Sequence, residues 1–262
     1  MSEGRFSNLE LEGPSAELEP EQNRFIKKDR DEQHFFALGQ SRELAGDFEA
    51  ALRHYSAALG EDPLLLEGWL GQLRMLLVMG ELPEAKMWAD KALERFPDQP
   101  RLLAAKAVAL CRMGSRKEAR GLCDAALKAS GEDPFVWLCR GEIICGESTS
   151  AARRCFDRVF ALAADNVSLH IDVGALYLEH KLYADAISTL QNACMRAPRA
   201  ARAFYVLGCA QREKGMPTHA RASFDTALGL EPQLESYRRA AADVDRSPGG
   251  LLGGFWRRMT QK

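Results

Sequence analysis

The sequence predicts an all-α protein built as a curved solenoid of about six helix-turn-helix repeats, and three observations carry this prediction. An alanine recurs with separations of 34, 34, 67 and 34 residues, at Ala51, Ala85, Ala119, Ala186 and Ala220. The interval of 67 residues is two periods less one residue, and it contains Ala152. A glycine or another turn-forming residue lies near the middle of each period, and a proline closes most periods. Self-similarity at a fixed period of this length is typical of stacked repeats.

Local residue choice explains why each period forms two packed helices. Residues 46–63 read GDFEAALRHYSAALGEDP, residues 80–97 read GELPEAKMWADKALERFP, and residues 215–232 read GMPTHARASFDTALGLEP. Small residues at fixed helical positions let two antiparallel helices approach closely, while large residues one turn away fill the space beside them. The glycine ends the first helix, and the proline cannot continue the second. Each pair leaves one apolar face uncovered, so we expect neighbouring pairs to stack.

The repeats follow one another along most of the chain, and their expected bounds are 32–65, 66–99, 100–133, 134–166, 167–200 and 201–234. Repeat four has a turn, CGESTS, that is one residue short. Residues 235–246, ESYRRAAADVDR, predict a helix that caps the open end of the solenoid. The first helix is expected to begin early, near Pro20, so that the solenoid domain spans 20–246.

Repeats one and six carry the fullest set of signature residues. In repeat one these are Phe35, Leu38, Gly39, Ala51, Tyr55, Ala58 and Pro63. In repeat six these are Phe204, Leu207, Gly208, Gly215, Ala220, Phe224, Ala227 and Pro232. The other repeats keep part of the set, and Leu73 stands where repeat two would have its glycine. This pattern resembles the tetratricopeptide repeat family, which implies a right-handed superhelical solenoid whose concave face, lined by the first helix of each repeat, binds peptides.

The resemblance also implies which residues face the concave groove. Positions that commonly point inward in the family carry large apolar side chains and arginines, namely Phe36, Leu70, Arg74, Leu77, Arg101, Val108, Arg112, Phe135, Leu138, Ile171, Leu178, Arg202, Tyr205 and Arg212. A solvated surface would carry fewer large apolar side chains in one patch. We therefore expect a groove suited to an amphipathic helix or an extended apolar peptide with some charge. The alternative is that some of these residues pack between helices.

Residue chemistry argues against catalysis and against a cofactor or a metal. The chain has no glycine-rich nucleotide-binding motif, no serine-nucleophile motif and no CxxC pair, and its five histidines are scattered. Family members that grip a C-terminal carboxylate use lysine and asparagine at fixed groove positions. Here those positions hold Phe36, Gln40, Gly71, Arg101 and Ala105, so we do not expect that binding mode. We expect a protein that is not an enzyme.

Composition narrows the classes of partner. The chain has 262 residues, 46% hydrophobic and 27% charged, with a net charge of −2, as is ordinary for a folded domain. No global field favours nucleic acid or an anionic membrane. No apolar run is long enough for a transmembrane helix, and the N-terminus lacks the features of a secretory signal. The seven cysteines are therefore expected to be reduced thiols of a cytoplasmic protein.

The two ends differ in charge. Residues 1–19 form an acidic leader that is predicted to be disordered. Residues 247–262, SPGGLLGGFWRRMTQK, predict a flexible glycine-rich tail, whose candidate binding residues are Leu251, Leu252, Phe255, Trp256, Arg257 and Arg258. The tail motif could dock on another protein, occupy its own or a neighbour's groove, or contact an anionic membrane peripherally. It could equally be a disordered end that carries a tryptophan by chance.

Taken together, these features favour a non-catalytic adaptor or scaffold that binds a peptide or a partner domain in its groove. One alternative is a structural protein that self-assembles through its repeats or tail. A second alternative is an accessory subunit of a secretion or envelope complex, recruited through the tail.

Overall fold

The computed structural model describes residues 32–244, and this part of the chain is all α-helical, as the sequence predicts. It contains thirteen helices and no strand: α1 (Glu32–Ala45), α2 (Phe48–Glu61), α3 (Leu66–Met79), α4 (Leu82–Arg95), α5 (Pro100–Arg112), α6 (Arg116–Ala129), α7 (Pro134–Cys145), α8 (Thr149–Leu162), α9 (Val167–Glu179), α10 (Tyr183–Arg196), α11 (Ala201–Glu213), α12 (Pro217–Leu230) and α13 (Glu235–Ala242). Two predicted features, the acidic leader and the helix start near Pro20, lie outside the described residues, as does the tail.

Helix pairs pack closely because glycines leave room for large side chains. Gly208 of α11 lies against Phe224 of α12, and a Cβ atom at that glycine would come within 2.6 Å of two ring carbons. Gly39 and Gly71 both pack against the ring of Tyr55 in the same way. The repeated glycine is thus the contact point at which the first helix of a repeat meets a bulky residue of a second helix.

The turns between paired helices need a left-handed residue. Gly46, Gly80, Gly114 and Gly215 have φ values of 89°, 78°, 95° and 81°. In repeat five, whose turn has no glycine, Lys181 takes this conformation with φ of 61°. A side chain is disfavoured there, which explains why most repeats keep glycine at this point.

The first helices of the six repeats lie side by side, and the last of them returns to the first. Helix α11 contacts α1, and the C-terminal helix α13 packs beside the same end of the chain. The Tyr237 hydroxyl donates to the carbonyl oxygen of Ala45 at 2.6 Å, and the Arg202 guanidinium lies 5.2 Å from the ring centre of Phe48. The described repeats therefore form a closed ring, with one continuous core from Phe48 to Val244.

No helix between residues 32 and 244 has both the length and the apolar character that a bilayer crossing requires.

Candidate protein-interaction site

Ring closure changes the surroundings of the residues that the sequence places along an open groove. Nine of the fourteen are buried: Leu70, Leu77, Val108, Leu138, Ile171, Leu178, Arg202, Tyr205 and Arg212. The other five are half-buried: Phe36, Arg74, Arg101, Arg112 and Phe135. The expectation of a long open groove is therefore corrected, because the first helices pack against one another across the ring and fill its interior. Partner binding by these residues stays a prediction.

Four charged residues join the two ends of the solenoid at the centre of the ring. Arg74 of repeat two donates to Glu43 at 2.5 Å and to Asp172 at 3.0 Å. Arg202 of repeat six donates to Asp172 at 2.5 Å and lies 3.8 Å from Glu43. We call Glu43, Arg74, Asp172 and Arg202 the closure network. It links repeats one, two, five and six through two acids and two bases.

Neighbouring hydroxyl groups complete the hydrogen bonding of the closure network. Ser168 donates to Glu43 at 2.6 Å and accepts from Arg74 at 2.9 Å, and the Tyr55 hydroxyl donates to Glu43 at 2.9 Å. Burial by itself would lower the pKa of Arg74, but Glu43 and Asp172 outweigh it and raise that pKa above its ordinary value. Burial, together with Glu43, raises the pKa of Tyr55. Arg74 thus stays charged and Tyr55 stays protonated at neutral pH.

A second ion pair joins α5 and α7. Arg112 donates to Glu142 at 2.6 Å and to the carbonyl oxygen of Leu77 at 2.8 Å. Burial raises the pKa of Glu142, and the nearby Arg112 partly offsets this effect. Of the arginines that the sequence assigns to the groove surface, Arg74, Arg112 and Arg202 are therefore held by acids of the same chain.

One large cavity remains open, at the edge of the ring where α3, α5, α7 and α9 begin. Its volume is about 770 Å³, within the range of about 300–1,000 Å³ of small-ligand sites. We call it the edge cavity. Its apolar lining includes Phe36, Leu44, Leu70, Phe135 and Val167. Three of these, Phe36, Leu70 and Phe135, are among the groove residues that the sequence predicts.

Polar groups form the floor and the rim of the edge cavity. The buried Glu43 and Tyr55 lie in its lining with Arg74, so the closure network forms part of its floor. At the rim, Arg101 pairs with Glu67 at 2.7 Å and lies 3.6 Å from Asp133. Asp165 is fully exposed and pairs with Arg196. The site thus combines apolar walls with fixed charged groups, as ligand sites in proteins commonly do.

Asp172 and Ser168 take part in the hydrogen bonding of this site, and neither is among the groove residues that the sequence predicts. Both lie in α9, VSLHIDVGALYLE, where Asp172 is an acid within an apolar segment. An acid at a buried helical position needs a partner that compensates its charge, so Asp172 in this apolar segment is the sequence signal for a buried ion pair. The identity of its partners, Arg74 and Arg202, does not follow from spacing, because they lie in other repeats.

The cysteines and histidines that the sequence offers for chemistry do not line the edge cavity. The seven cysteines are free thiols, six of them buried and Cys111 half-buried. Among residues 32–244, no group of histidine, cysteine, aspartate and glutamate side chains is arranged to hold a metal ion. The tail residues Leu251, Leu252, Phe255, Trp256, Arg257 and Arg258 lie outside the described part of the chain.

A family model described as tetratricopeptide repeat matches residues 36–100 and 176–235, near the first and the last helices of the ring. The chain belongs to the tetratricopeptide repeat family. Proteins of this family are in general interaction scaffolds that bind protein or peptide partners. The match agrees with the helix pairs, the turn glycines and the glycine–aromatic contacts described above.

This tetratricopeptide repeat protein is similar to one known protein in sequence and to others in fold. It is 27% identical to the Protein CTR9 homolog of Arabidopsis thaliana over 168 residues, which are 61% of this chain and 15% of the relative. Its structure resembles human IFIT1, solved as a dimer with m7Gppp-AAAA, with a TM-score of 0.56 and 18% identity over 73% of this chain and 48% of that chain. It also resembles the APC/C hetero-tetramer Cut9-Hcn1, with a TM-score of 0.50 and 16% identity over 85% of this chain and 44% of that one. The chain therefore spans less than half the length of each of these proteins.

Proposed function

We propose that this tetratricopeptide repeat ring is a non-catalytic adaptor that binds a peptide segment of a partner protein in the edge cavity. The observation that carries the proposal is the cavity itself, with a volume of about 770 Å³ and half-buried aromatic walls at Phe36 and Phe135. Burying such partly exposed aromatic faces against an apolar side chain of a ligand contributes favourable binding free energy. The fixed acids and arginines around them supply orientation.

The edge cavity is favoured over the ring interior because the interior is occupied. Ile171 and Val108 are fully buried, and Arg112 and Arg202 are paired with acids of the same chain. A peptide would have to break these contacts to lie along the first helices. At the edge, the same helices expose their first turns, and a ligand can enter without moving them.

Nucleic acid is a less suitable partner for this site, even though human IFIT1 was solved as a dimer with m7Gppp-AAAA. The charged lining of the edge cavity has more acids than bases, and phosphate groups are repelled by acids at such short range. Self-assembly and recruitment to a secretion or envelope complex through the tail stay predictions. So do the cytoplasmic location and any peripheral membrane contact.

The test is a substitution that fills the cavity. Gln40 is exposed and lines the edge cavity, so Gln40→Trp would place an indole in it. Gln191 is exposed on α10 away from the cavity, and Gln191→Trp is the matched control. Cross-linked partners captured from the source cell would be compared for both variants and the unsubstituted protein. We expect Gln40→Trp alone to lose a partner; equal capture by all three proteins would overturn the proposal.

A further inference from the structure

We propose that the C-terminal segment of the chain, residues 247–262, docks in the edge cavity of its own ring and competes there with the partner. The competition rests on the proposed function, whereas the docking does not. The segment carries Phe255 and Trp256 directly before Arg257 and Arg258. This is an apolar anchor next to a pair of cations, and the cavity offers the complementary chemistry.

Charge is the first argument. The charged residues that line the edge cavity are four acids and two arginines, a net charge of −2: Glu43, Glu67, Asp133, Asp165, Arg74 and Arg101. Residues 247–262 contain three bases and no acid, a net charge of +3. Residues 1–31 contain eight acids and five bases, a net charge of −3. Of the two terminal segments, only the C-terminal one complements the cavity in sign.

The arginines of the cavity are already neutralised, so they do not repel a cationic ligand strongly. Arg74 is held by Glu43 and Asp172, and Arg101 is held by Glu67 with Asp133 nearby. The rim acids keep accessible oxygens, since the Glu67 side chain is 48% exposed and Asp165 is fully exposed. A carboxylate accepts about four hydrogen bonds, so each rim acid can bind a second cation beside its present arginine.

The first turns of α3, α5, α7 and α9 also face the cavity, and helix N-termini by themselves favour anions. Here side chains of the same chain already accept hydrogen bonds from several of these backbone N–H groups. The Asp133 carboxylate accepts from the backbone N–H groups of Phe135 and Val136, and the Asn166 side chain accepts from that of Leu169. Glu67 lies in the first turn of α3. The acids of the lining therefore determine the sign of the ligand.

Position and length allow the segment to reach the cavity. Helix α13 packs beside α1, because the Tyr237 hydroxyl donates to the carbonyl oxygen of Ala45, and the adjacent Leu44 lines the cavity. Ten residues lie between Val244 and Phe255, and the eleven Cα–Cα steps across them span up to about 36 Å when extended. A compact chain of the described length has a radius of gyration of about 17 Å. The segment is thus long enough to reach the edge cavity from the end of α13.

Attachment to the ring makes even a weak contact effective. A short tether gives an effective concentration on the order of 1 mM. A separate peptide with a dissociation constant of about 100 µM would therefore occupy the site about nine-tenths of the time when it is tethered. A partner must displace the segment, which lowers the apparent affinity of the partner in proportion.

Photo-crosslinking in the full chain tests the docking. p-Benzoylphenylalanine would replace Trp256, and in a control protein it would replace Phe6 in the acidic N-terminal region. Cross-linked residues would be mapped by mass spectrometry at several protein concentrations. We expect position 256 to label residues around the edge cavity, within one chain and independently of concentration, and position 6 to leave them unlabelled.

Charge variants test the cause of the contact. We expect Glu67→Gln with Asp165→Asn to weaken the docking equilibrium about three- to tenfold, since two exposed ion pairs are lost. From an occupancy of about nine-tenths, this lowers the occupancy, and the cross-linking yield in proportion, to between about three-quarters and one-half. The control Glu94→Gln with Asp225→Asn changes two exposed acids away from the cavity and should leave the yield unchanged. Labelling elsewhere on the ring, or no labelling, would overturn the proposal. Cross-links between chains that grow with concentration would overturn docking in the same chain and make a second copy the occupant.

Separate variants distinguish a failure of the proposed function from a failure of the docking proposal. If Gln40→Trp loses the partner while position 256 labels another surface, the edge cavity binds partners but the C-terminal segment is not its occupant. If position 256 labels the cavity while Gln40→Trp keeps the partner, the segment docks there and the partner binds elsewhere. Where both proposals hold, Trp256→Ala should raise the affinity for the partner severalfold, and an unchanged affinity would overturn the competition.

Discussion

Removing the charge of Arg202 is the perturbation that tests ring closure most directly. Its side chain is 0% exposed and lies between two acids, at 2.5 Å from Asp172 and 3.8 Å from Glu43. Arg202→Met keeps a long apolar stem that can pack on Phe48 but leaves no cation. The closure network then has two acids and one base, so its net charge changes from 0 to −1.

The expected magnitude follows from the burial of the acid that remains. Breaking a buried ion pair by removing one partner costs about 3–5 kcal/mol, because a charge is left without compensation. Arg74 still contacts both acids, so we expect the lower end, a loss of about 3 kcal/mol in the free energy of unfolding. The matched control is Arg153→Met, whose pair with Asp185 is largely exposed and screened by solvent, so we expect it to lose far less stability than Arg202→Met.

Urea unfolding followed by circular dichroism measures both variants, and the slope of the transition reports whether the exposed area has changed. A double-mutant cycle with Asp172→Leu separates the ion pair from general damage to the core. If the unpaired acid causes the loss, the double variant should be more stable than the sum of the two single losses predicts. A loss below about 1 kcal/mol for Arg202→Met, equal to that of Arg153→Met, would refute the reasoning.

Three further predictions concern packing, closure and thiol reactivity. Gly208→Ala should destabilise the protein by about 1–3 kcal/mol, because the new methyl group would contact the Phe224 ring. Gly121→Ala, on an open helical surface, should stabilise it by about 0.5–1 kcal/mol. Thermal unfolding measures both variants, and equal effects would contradict the packing argument. Tyr237→Phe should cost about 1 kcal/mol by removing the hydrogen bond to Ala45, as chemical denaturation would show. Iodoacetamide should label Cys111 first in the folded protein, because the other six thiols are buried. Burial also raises the pKa of these six thiols, to about 11 for Cys209. Mass spectrometry measures the labelling rates, and a buried thiol labelled as fast as Cys111 would contradict this prediction.

Local features of the fold could be predicted from the sequence because a single repeat determines them. The glycine of a turn, the small residue at a helix contact and the proline at a helix end all act within one period. The helix predicted over 235–246 is present as α13, which ends at Ala242. Repeat five shows that the rule concerns backbone conformation and not residue type, since Lys181 takes the left-handed turn that glycine takes elsewhere.

Closure could not be predicted because it depends on contacts that periodicity does not contain. The Tyr237–Ala45 hydrogen bond joins residues 192 positions apart. Whether the ends of a solenoid meet is determined by small rotations accumulated over all repeats. Tyr205 illustrates the consequence, because its inward position is consistent with groove surface in an open solenoid. In the ring it stacks on Tyr237 at a ring distance of 4.6 Å and is buried.

Charged residues at the inward positions give the closed ring a specific register. If Glu43, Arg74, Asp172 and Arg202 were all apolar, any apposition of the two solenoid ends that buried them would gain similar hydrophobic free energy. With two acids and two bases, a slip of one helical turn would leave charges buried without partners, at a cost of several kcal/mol. Buried ion pairs of this kind contribute little net stability compared with well-packed apolar residues. Their effect here is selective: pairing determines which repeats face each other, and that arrangement positions the acids and aromatic rings of the edge cavity.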